Sequence, residues 1–436
     1  MKLKNVAIIF QNNIQFNSFE NALKIMKERD INIDIFIPKY ESNDGFPDMF
    51  NEFYNNIINL GYNIHREITD TEYDILFCPY EIIQFKDLKR KYTIKYMYGI
   101  STNPSYSMSL KINYYFDAFL CYGEEDEKIL NNYGKTFKIG NLKYLNTKIN
   151  KKKNNKKTIL YLPTYSTNSS IEILTKELTK LKHKYNIIIK PHHGTEFLNN
   201  DIEKNRRELI KKNFENIYSS KTKLEELLNI ADIVISDMSG AVFDAVSLNI
   251  PVVMYYNSDS CKYGEYESNC TKYAKSGHII AFETLNNNLD KLIEKAMSKK
   301  QIEKEKELFN ILFECDNKDS KKLFINFLNE LENNVINEEY LQVHNKIKEE
   351  ISAFINDSLI KEKLQAELNY EKNKNQELNE LLKDNNKNLE RLQRKMEELT
   401  IENKNLNDSI TSIYNSKSWK LISPLIKIKK IISKKN

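Results

Sequence analysis

Three short stretches of this chain carry residue types suited to handling an anionic group. Lys190-Pro191-His192-His193 puts a cation and two imidazoles within four residues. Asp237-Met238-Ser239-Gly240 offers a carboxylate, a hydroxyl and a glycine where a ligand can approach the backbone, with Asp244 one turn further on. Leu162-Pro163-Thr164 adds another hydroxyl. Cations and N–H or O–H donors are what a phosphoryl or pyrophosphate group needs as negative charge develops on it. Each residue also has a plainer reading: Ser239 caps a helix, Asp237 makes a turn, Asp244 faces solvent, and Thr164 only ends a strand. The adjacent histidines lack an evident third ligand, and there is no Asp-x-Asp string or Cys-x-x-Cys pair. Neither a metal nor a cofactor is therefore expected.

The elements before these stretches are short apolar runs, Thr158–Leu162, Ile187–Ile189 and Ile233–Ile235, which predict buried parallel strands. After the third, Ser239-Gly240 opens a helix whose apolar face holds Ala241, Val242, Ala245, Val246 and Leu248. Asn249-Ile250-Pro251 stops it, and Val252–Tyr255 is the next strand. The polar stretches thus fall on one sheet rim, at the carboxyl ends of strands, where open α/β sheets bind ligands. The N–H groups of the helix start favour phosphate there.

The order of these motifs resembles the CDP-glycerol glycerophosphotransferase family, the polymerases and primases of teichoic acids and related capsules. That family has a strand ending in Pro-Thr, a strand ending in Lys-x-His-Pro, and then Asp-Tyr-Ser-Ser before a helix with an acidic residue. Its pattern closes with Lys-Pro and an apolar strand. Here these become Leu162-Pro163-Thr164, Lys190-Pro191-His192-His193, Asp237-Met238-Ser239-Gly240, Asp244 and Ile250-Pro251. The resemblance spans roughly residues 90 to 300. It implies that His192 is catalytic and that Thr164, Lys190, His193, Asp237, Ser239, Gly240 and Asp244 surround a nucleotide-linked donor such as CDP-glycerol. It also implies a GT-B plan of two Rossmann-like domains with a glycan acceptor.

The first half supports that plan in its pattern. Strands at Val6–Phe10, Ile31–Ile37, Tyr73–Cys78, Tyr92–Tyr98 and Phe116–Tyr122 alternate with helices near 17–28, 48–60 and 124–133. There is no G-x-G-x-x-G and no P-loop, which disfavours a dinucleotide dehydrogenase or a P-loop kinase. Family members carry a His-Gly pair after the fourth strand, that His being the general base. Here Tyr98-Gly99 stands in its place. A tyrosine with an ordinary pKa of about 10 is a poor base at neutral pH. Glu124 and Glu125 are substitutes, unless they serve only as favourable charge in a first helical turn. His65 reads as part of a surface connection.

Residues 1–150 are expected to form an acceptor-side Rossmann-like domain and 156–335 a donor-binding one, joined by the Lys-rich connector 151–157, with helices over 284–298 and 301–331. A coiled coil is expected over 336–415, where apolar residues recur in heptads from about Leu364 to Ile413. One series is Leu368, Leu382, Leu389, Met396 and Ile410; the other is Leu364, Leu378, Leu392, Leu399, Leu406 and Ile413. Asn375, Asn385, Asn403 and Glu371 interrupt the seam. This predicts a coiled coil and a homo-oligomer, with a lone helix packed on its own domain as the alternative. Deleting 336–436 should then leave a folded catalytic part. The tail 416–436 joins the single Trp419 to Leu, Ile and Lys, a basic amphipathic segment suited to an anionic membrane surface. Nucleic acid is not an expected partner, because aromatic and basic residues are not interleaved over a folded platform.

A chain of 436 residues, 29% charged and 40% hydrophobic, has ample length for a core without spanning a membrane, and its net charge of +5 is small for that size. Five cysteines, odd in number and without a Cys-x-x-Cys pair, and a short first apolar run suit the cytoplasm, at the inner face of the membrane. The function expected is transfer of a glycerol-phosphate-like or glycosyl unit from a CDP-linked or other nucleotide donor to a cell-surface polysaccharide or teichoic-acid-like acceptor. Two alternatives stand beside it: a GT-B glycosyltransferase using a nucleotide sugar, and a catalytically inactive coiled-coil scaffold.

Overall fold

A computed structural model describes residues 2–39, 46–80, 83–100, 111–145, 147, 149, 155–165, 168–219, 221–257, 262–263, 266–283, 288–336 and 338–416. Connector residues 151–154, Cys261 and the basic tail from 417 onward lie outside them. The chain divides into two compact units, Met1–Asn356 and Asp357–Asn436.

The first unit holds two parallel sheets. Seven strands, β1 (Asn5–Ile9), β2 (Asn32–Phe36), β3 (Asn63–His65), β4 (Tyr73–Cys78), β5 (Arg90–Lys95), β6 (Ala118–Cys121) and β7 (Lys135–Lys138), run in the order β3-β2-β1-β4-β5-β6-β7. The second sheet uses β8 (Thr158–Leu162), β9 (Asn186–Ile189), β10 (Ile233–Ser236), β11 (Val252–Tyr255) and β14 (Ile280–Phe282), in the order β14-β11-β10-β8-β9. A two-stranded hairpin, β12 (Lys262–Tyr263) with β13 (Tyr266–Glu267), lies between β11 and β14 in the chain.

Period-two alternation with both faces covered explains why the central strands of each sheet are largely apolar. In β1, Val6 and Ile8 join one core with Phe16, Phe19 and Leu23, while Ala7 and Ile9 join another with Phe116 and Phe119. In β10, Val234 packs with Val242 and Val246, and Ile233 and Ile235 pack on the opposite face with Leu174 and Leu178.

Three features differ from the sequence expectation. Strands β3 and β7 were not foreseen: both are sheet edges, short and half polar, so neither shows a buried run. The segment 301–331 is two helices, Lys299–Leu312 and Ser320–Glu332. The second completes the core of the first sheet, its Phe324 ring 6.0 Å from Phe19 and its Phe327 ring 4.9 Å from Phe137. The helix Glu338–Asn415 begins, moreover, as part of the first unit. Leu341 enters the first core, and Ile351 packs on the other face.

The root of that helix is fixed by Asp117, which is fully buried. Its carboxylate accepts from the Thr93 N–H at 2.7 Å, His344 Nδ1 at 3.0 Å and Lys348 Nζ at 2.5 Å. Burial works against its charge, but the His344 hydrogen bond and the Lys348 ammonium outweigh that and hold its carboxyl below the ordinary value. The arrangement requires the helix to stay docked, because an unpartnered carboxylate at this depth is costly.

The second unit is described by the remainder of the same helix. Side chains are described at 386–387, from 389 to 413 and at 415–416, and all but Ser416 are solvent-exposed. Leu392, Leu399, Leu406 and Ile413 form one row; Leu389, Met396 and Ile410 form the other, with Asn403 in line between the last two. Met396 is 70% exposed and Ile410 48%, so no described part of this chain covers the seam between Leu389 and Ile413. The heptad residues from Leu364 to Leu382 fall where side chains are outside the description.

Candidate active site

Strands β10, β8 and β9 are immediate neighbours, so the three polar stretches leave the sheet side by side. Ser236 pairs with Leu162 and Tyr161 with Ile189, which aligns their carboxyl ends on one rim. A cavity of about 1030 Å³ opens between this rim and the first sheet. Tyr98, Lys190, His192, His193, Ser239, Gly240 and Asp244 line it. Asp237 and Thr164 do not.

Asp237 acts within the protein. It is fully buried and accepts from the Thr164 N–H at 2.7 Å, the Ser170 N–H at 3.2 Å and the Ser170 hydroxyl. Burial pushes its carboxyl up to about 7 against these hydrogen bonds. Asp237 therefore pins the loop after β8 to the end of β10, and Thr164 contributes its backbone N–H to that tie. Asp237 shapes the rim without lining the cavity.

His192 is the N-cap of the short helix His193–Phe197, and its Nδ1 accepts from the Gly194 N–H at 3.0 Å. Burial, with His193 and Lys190 adding, holds its pKa well below the ordinary value, so the ring is neutral at pH 7. With Nδ1 accepting, the single ring proton sits on Nε2 as a hydrogen-bond donor. The ring stacks on Tyr165 at 4.6 Å and meets His193 at 3.8 Å. A Cβ on Gly194 would lie 2.6 Å from the Tyr165 ring, so only glycine permits that stacking. Burial and Lys190 lower His193 to about 4, making it neutral as well. Burial, with Lys143 adding and Glu196 opposing, lowers Lys190 to about 8. Among the described residues no carboxylate is within salt-bridge distance of Lys190.

Ser239 stands just before the N-cap Gly240 of its helix, its Oγ accepting from the Ala241 N–H at 3.1 Å, while also lining the cavity. Asp244 is not a solvent-facing helix residue. Both of its oxygens accept from Lys143 Nζ, at 2.9 and 3.0 Å, and both side chains are mostly buried. Sequence reading missed Lys143, one of 66 basic residues and just beyond the unforeseen β7. Tyr98 lines the cavity and is 41% exposed. Glu125 bonds Lys272 at 2.6 Å, and neither Glu124 nor Glu125 lines the cavity, so the place of a base is not theirs. His65 stacks on Phe36 in the first sheet, far from a catalytic arrangement.

The wall from the first half has a different character. One face of the helix Asn13–Lys27 presents Asn13, Asn17, Glu20, Asn21 and Lys24 to the cavity. Glu20 is neutralised by Lys24 and Lys223, both at 2.9 Å, and Glu52 by Lys221 at 2.8 Å. One wall is thus cationic, with neutral N–H donors, and the facing wall is amide-rich with balanced charge. No group of described residues forms a metal site, and no described helix is long and apolar enough to cross a membrane.

No curated protein matches the chain. Among solved structures, a UDP-N-acetylglucosamine 2-epimerase from Listeria monocytogenes is similar in fold: TM-score 0.50, 13% identity, 77% of this chain and 97% of that one. An S. aureus MnaA–UDP co-structure matches with TM-score 0.48 and 13% identity, over 76% of this chain and 97% of that one. The wall teichoic acid polymerase TagF matches with TM-score 0.44 and 14% identity, over 77% of this chain and 90% of that one. The sequence profile of CDP-glycerol:poly(glycerophosphate) glycerophosphotransferase matches residues 79–345, which include every cavity residue from Pro79 to Asp244 but not the helix Asn13–Lys27 of the facing wall. With more than half of its length covered by that profile, the chain belongs to the CDP-glycerol:poly(glycerophosphate) glycerophosphotransferase family and is a transferase.

Proposed function

We propose that the protein transfers a glycerol-phosphate-like unit from a CDP-linked donor to a hydroxyl of a cell-surface glycan or teichoic-acid-like acceptor. The observation that carries this is the two-sided cavity: Lys190 and two neutral histidines on one wall, amides on the other, with Lys143 reaching across to Asp244. In the proposed step an acceptor hydroxyl oxygen attacks the phosphorus that bears glycerol. The new O–P bond forms as the pyrophosphate P–O bond breaks, CMP leaves with the bridging oxygen, and the acceptor proton passes to solvent or to CMP. Lys190 and His192 Nε2–H stabilise the phosphoryl oxygens as charge shifts. Asn13 and Asn17 suit the hydroxyls of an acceptor. In this reading 1–150 and 156–335 act as the acceptor and donor halves of a GT-B enzyme.

A nucleotide-sugar glycosyltransferase is the second reading, favoured by Tyr98 standing where the family's base histidine stands. The leaving group separates the two. Purified protein incubated with CDP-glycerol, CDP-ribitol and UDP-sugars should release CMP from a CDP-linked donor. Release of UDP or CDP would favour glycosyl transfer, and no release from any donor would favour a scaffold.

We further propose that the enzyme self-associates through the heptad seam and works at the cytoplasmic face of an anionic membrane through the tail. Each Lys near such a surface contributes about 1 kcal/mol. Sedimentation with anionic vesicles at low salt tests the tail: the intact protein should bind, and Trp419→Ala combined with Lys-to-Glu changes should not.

A further inference from the structure

We propose that the exposed seam of the second unit closes on a second copy of this chain as a parallel, in-register, two-stranded coiled coil. The inference rests on the self-association reading and adds partner number, direction and register. Exposed apolar residues recur from Leu389 to Ile413 at alternating steps of three and four, the pattern that keeps one seam facing a partner helix. Seven such side chains facing water would be a standing liability in a lone helix.

Direction follows from the polar positions. Numbered as heptads, Asn375 and Asn403 share the row of Leu389 and Met396, while Asn385 shares the row of Leu392. In a parallel in-register pair each asparagine meets its own copy, so amide bonds amide in every polar layer. The antiparallel register that pairs Asn403 with Asn385 of the other copy sets Asn375 against Ile413. It also brings Lys395 against its own copy. The flanking positions agree: a parallel pair sets Glu367 of one chain beside Lys372 of the other, twice, with no like-charged flanking pair. One layer opposes it, since Glu371 would meet its own copy. That like-charge layer lowers stability and leaves a mark by which direction can be read.

A parallel coil has a consequence for the enzyme. Both catalytic units leave one end and both basic tails the other, so two tails meet the same surface and binding gains avidity.

Full-length Asn403→Cys, oxidised mildly and run without reductant, tests direction. A disulfide needs Cα atoms within about 7 Å. Parallel copies meet that at position 403, whereas in the antiparallel register the two positions lie about 27 Å apart along the coil. Near-complete cross-linking to a dimer, absent in the wild type, is expected. Light scattering should give twice 51.6 kDa. A dimer that does not cross-link at 403, but does when the Asn385→Cys and Asn403→Cys proteins are mixed, would overturn the direction alone. A trimeric or larger mass would overturn the two-stranded form, and a monomer would overturn self-association itself. Glu371→Leu should raise the dimer's thermal midpoint, and a fall would count against the in-register layer.

Discussion

Lys143 and Asp244 are 101 residues apart in sequence, yet both carboxylate oxygens of Asp244 hold the Lys143 ammonium, at 2.9 and 3.0 Å. Lys143 follows the last strand of the first sheet, and Asp244 lies in the helix after β10 of the second. The pair therefore bridges the two sheets along the cavity lining, near enough to Lys190 for the two ammoniums to repel. Two clustered cations, only one of them paired with a carboxylate, suit an anion.

Replacing Lys143 with Met should weaken CDP-glycerol binding by roughly 10- to 100-fold, the loss expected for a charge-assisted hydrogen bond of about 1.5–3 kcal/mol. Asp244→Asn should cost less, because it loosens the ammonium without removing it. Calorimetric titration of both variants measures this. An unchanged dissociation constant in Lys143→Met removes Lys143 from the donor site.

His192 is expected to act as a neutral donor. His192→Ala should lower turnover by about 10²–10³, the range for loss of one preorganised donor, with the thermal midpoint little changed. His192→Gln, which retains an N–H at the end of its side chain, should recover part of that. If the alanine variant turns over as fast as wild type, His192 has no part in the reaction.

Much of this was legible in the sequence, where burial on both faces leaves a plain signal. The runs at Val6–Phe10, Thr158–Leu162 and Ile233–Ile235 all became strands, because a parallel strand covered on two sides is apolar throughout. The rim followed, since Lys190 and Ser239 stand directly after such runs. What depended on tertiary packing was not legible. Nothing local marks Lys143 as Asp244's partner, or turns Asp237 inward to hold the Thr164 and Ser170 amides. The helix Ser320–Glu332 has an apolar face, but no sequence period says which sheet that face covers.

Asp237→Ala should destabilise the protein by several kcal/mol. It would strand two backbone N–H groups and a hydroxyl, each costing about 1–3 kcal/mol. Asp237→Asn should cost less, its amide oxygen still serving the backbone donors. Denaturant unfolding of both variants gives the order. Equal losses would mean that Asp237 fills space without ordering the loop.

The boundary of the catalytic part is also testable. Deletion from residue 336 onward was expected to leave it folded, but that cut removes Leu341, His344 and Lys348 and leaves Asp117 buried without its cation. Uncovering a buried ion pair costs about 3–5 kcal/mol, roughly 4–7 °C in thermal midpoint for a chain of this size. A chain ending at Asn356 should melt close to the intact catalytic unit, whereas one ending at Asn334 should melt well below it or fail to accumulate. Equal midpoints would show that the helix root contributes nothing to the fold.

Donor affinity should depend on pH through Lys190. Its pKa of about 8 means that the ammonium is charged at neutral pH and loses its proton as pH rises through 8. A diphosphate diester keeps its charge over that range, so affinity should be flat below about pH 7 and then fall, by at most tenfold per pH unit. His193, at about 4, and His192, held by burial well below its ordinary value, are already neutral and add nothing there. Lys95 also lines the cavity with a pKa of about 8, its Nζ donating to Asn113 at 2.7 Å, and it must be separated from Lys190. Lys190→Arg does this, because a guanidinium stays charged to far higher pH while Lys95 is untouched. Titrations of CDP-glycerol from about pH 6.5 to about 9.5 should show the fall in wild type and a flatter profile in Lys190→Arg. The same fall in both proteins would assign it to Lys95 and take Lys190 out of donor binding.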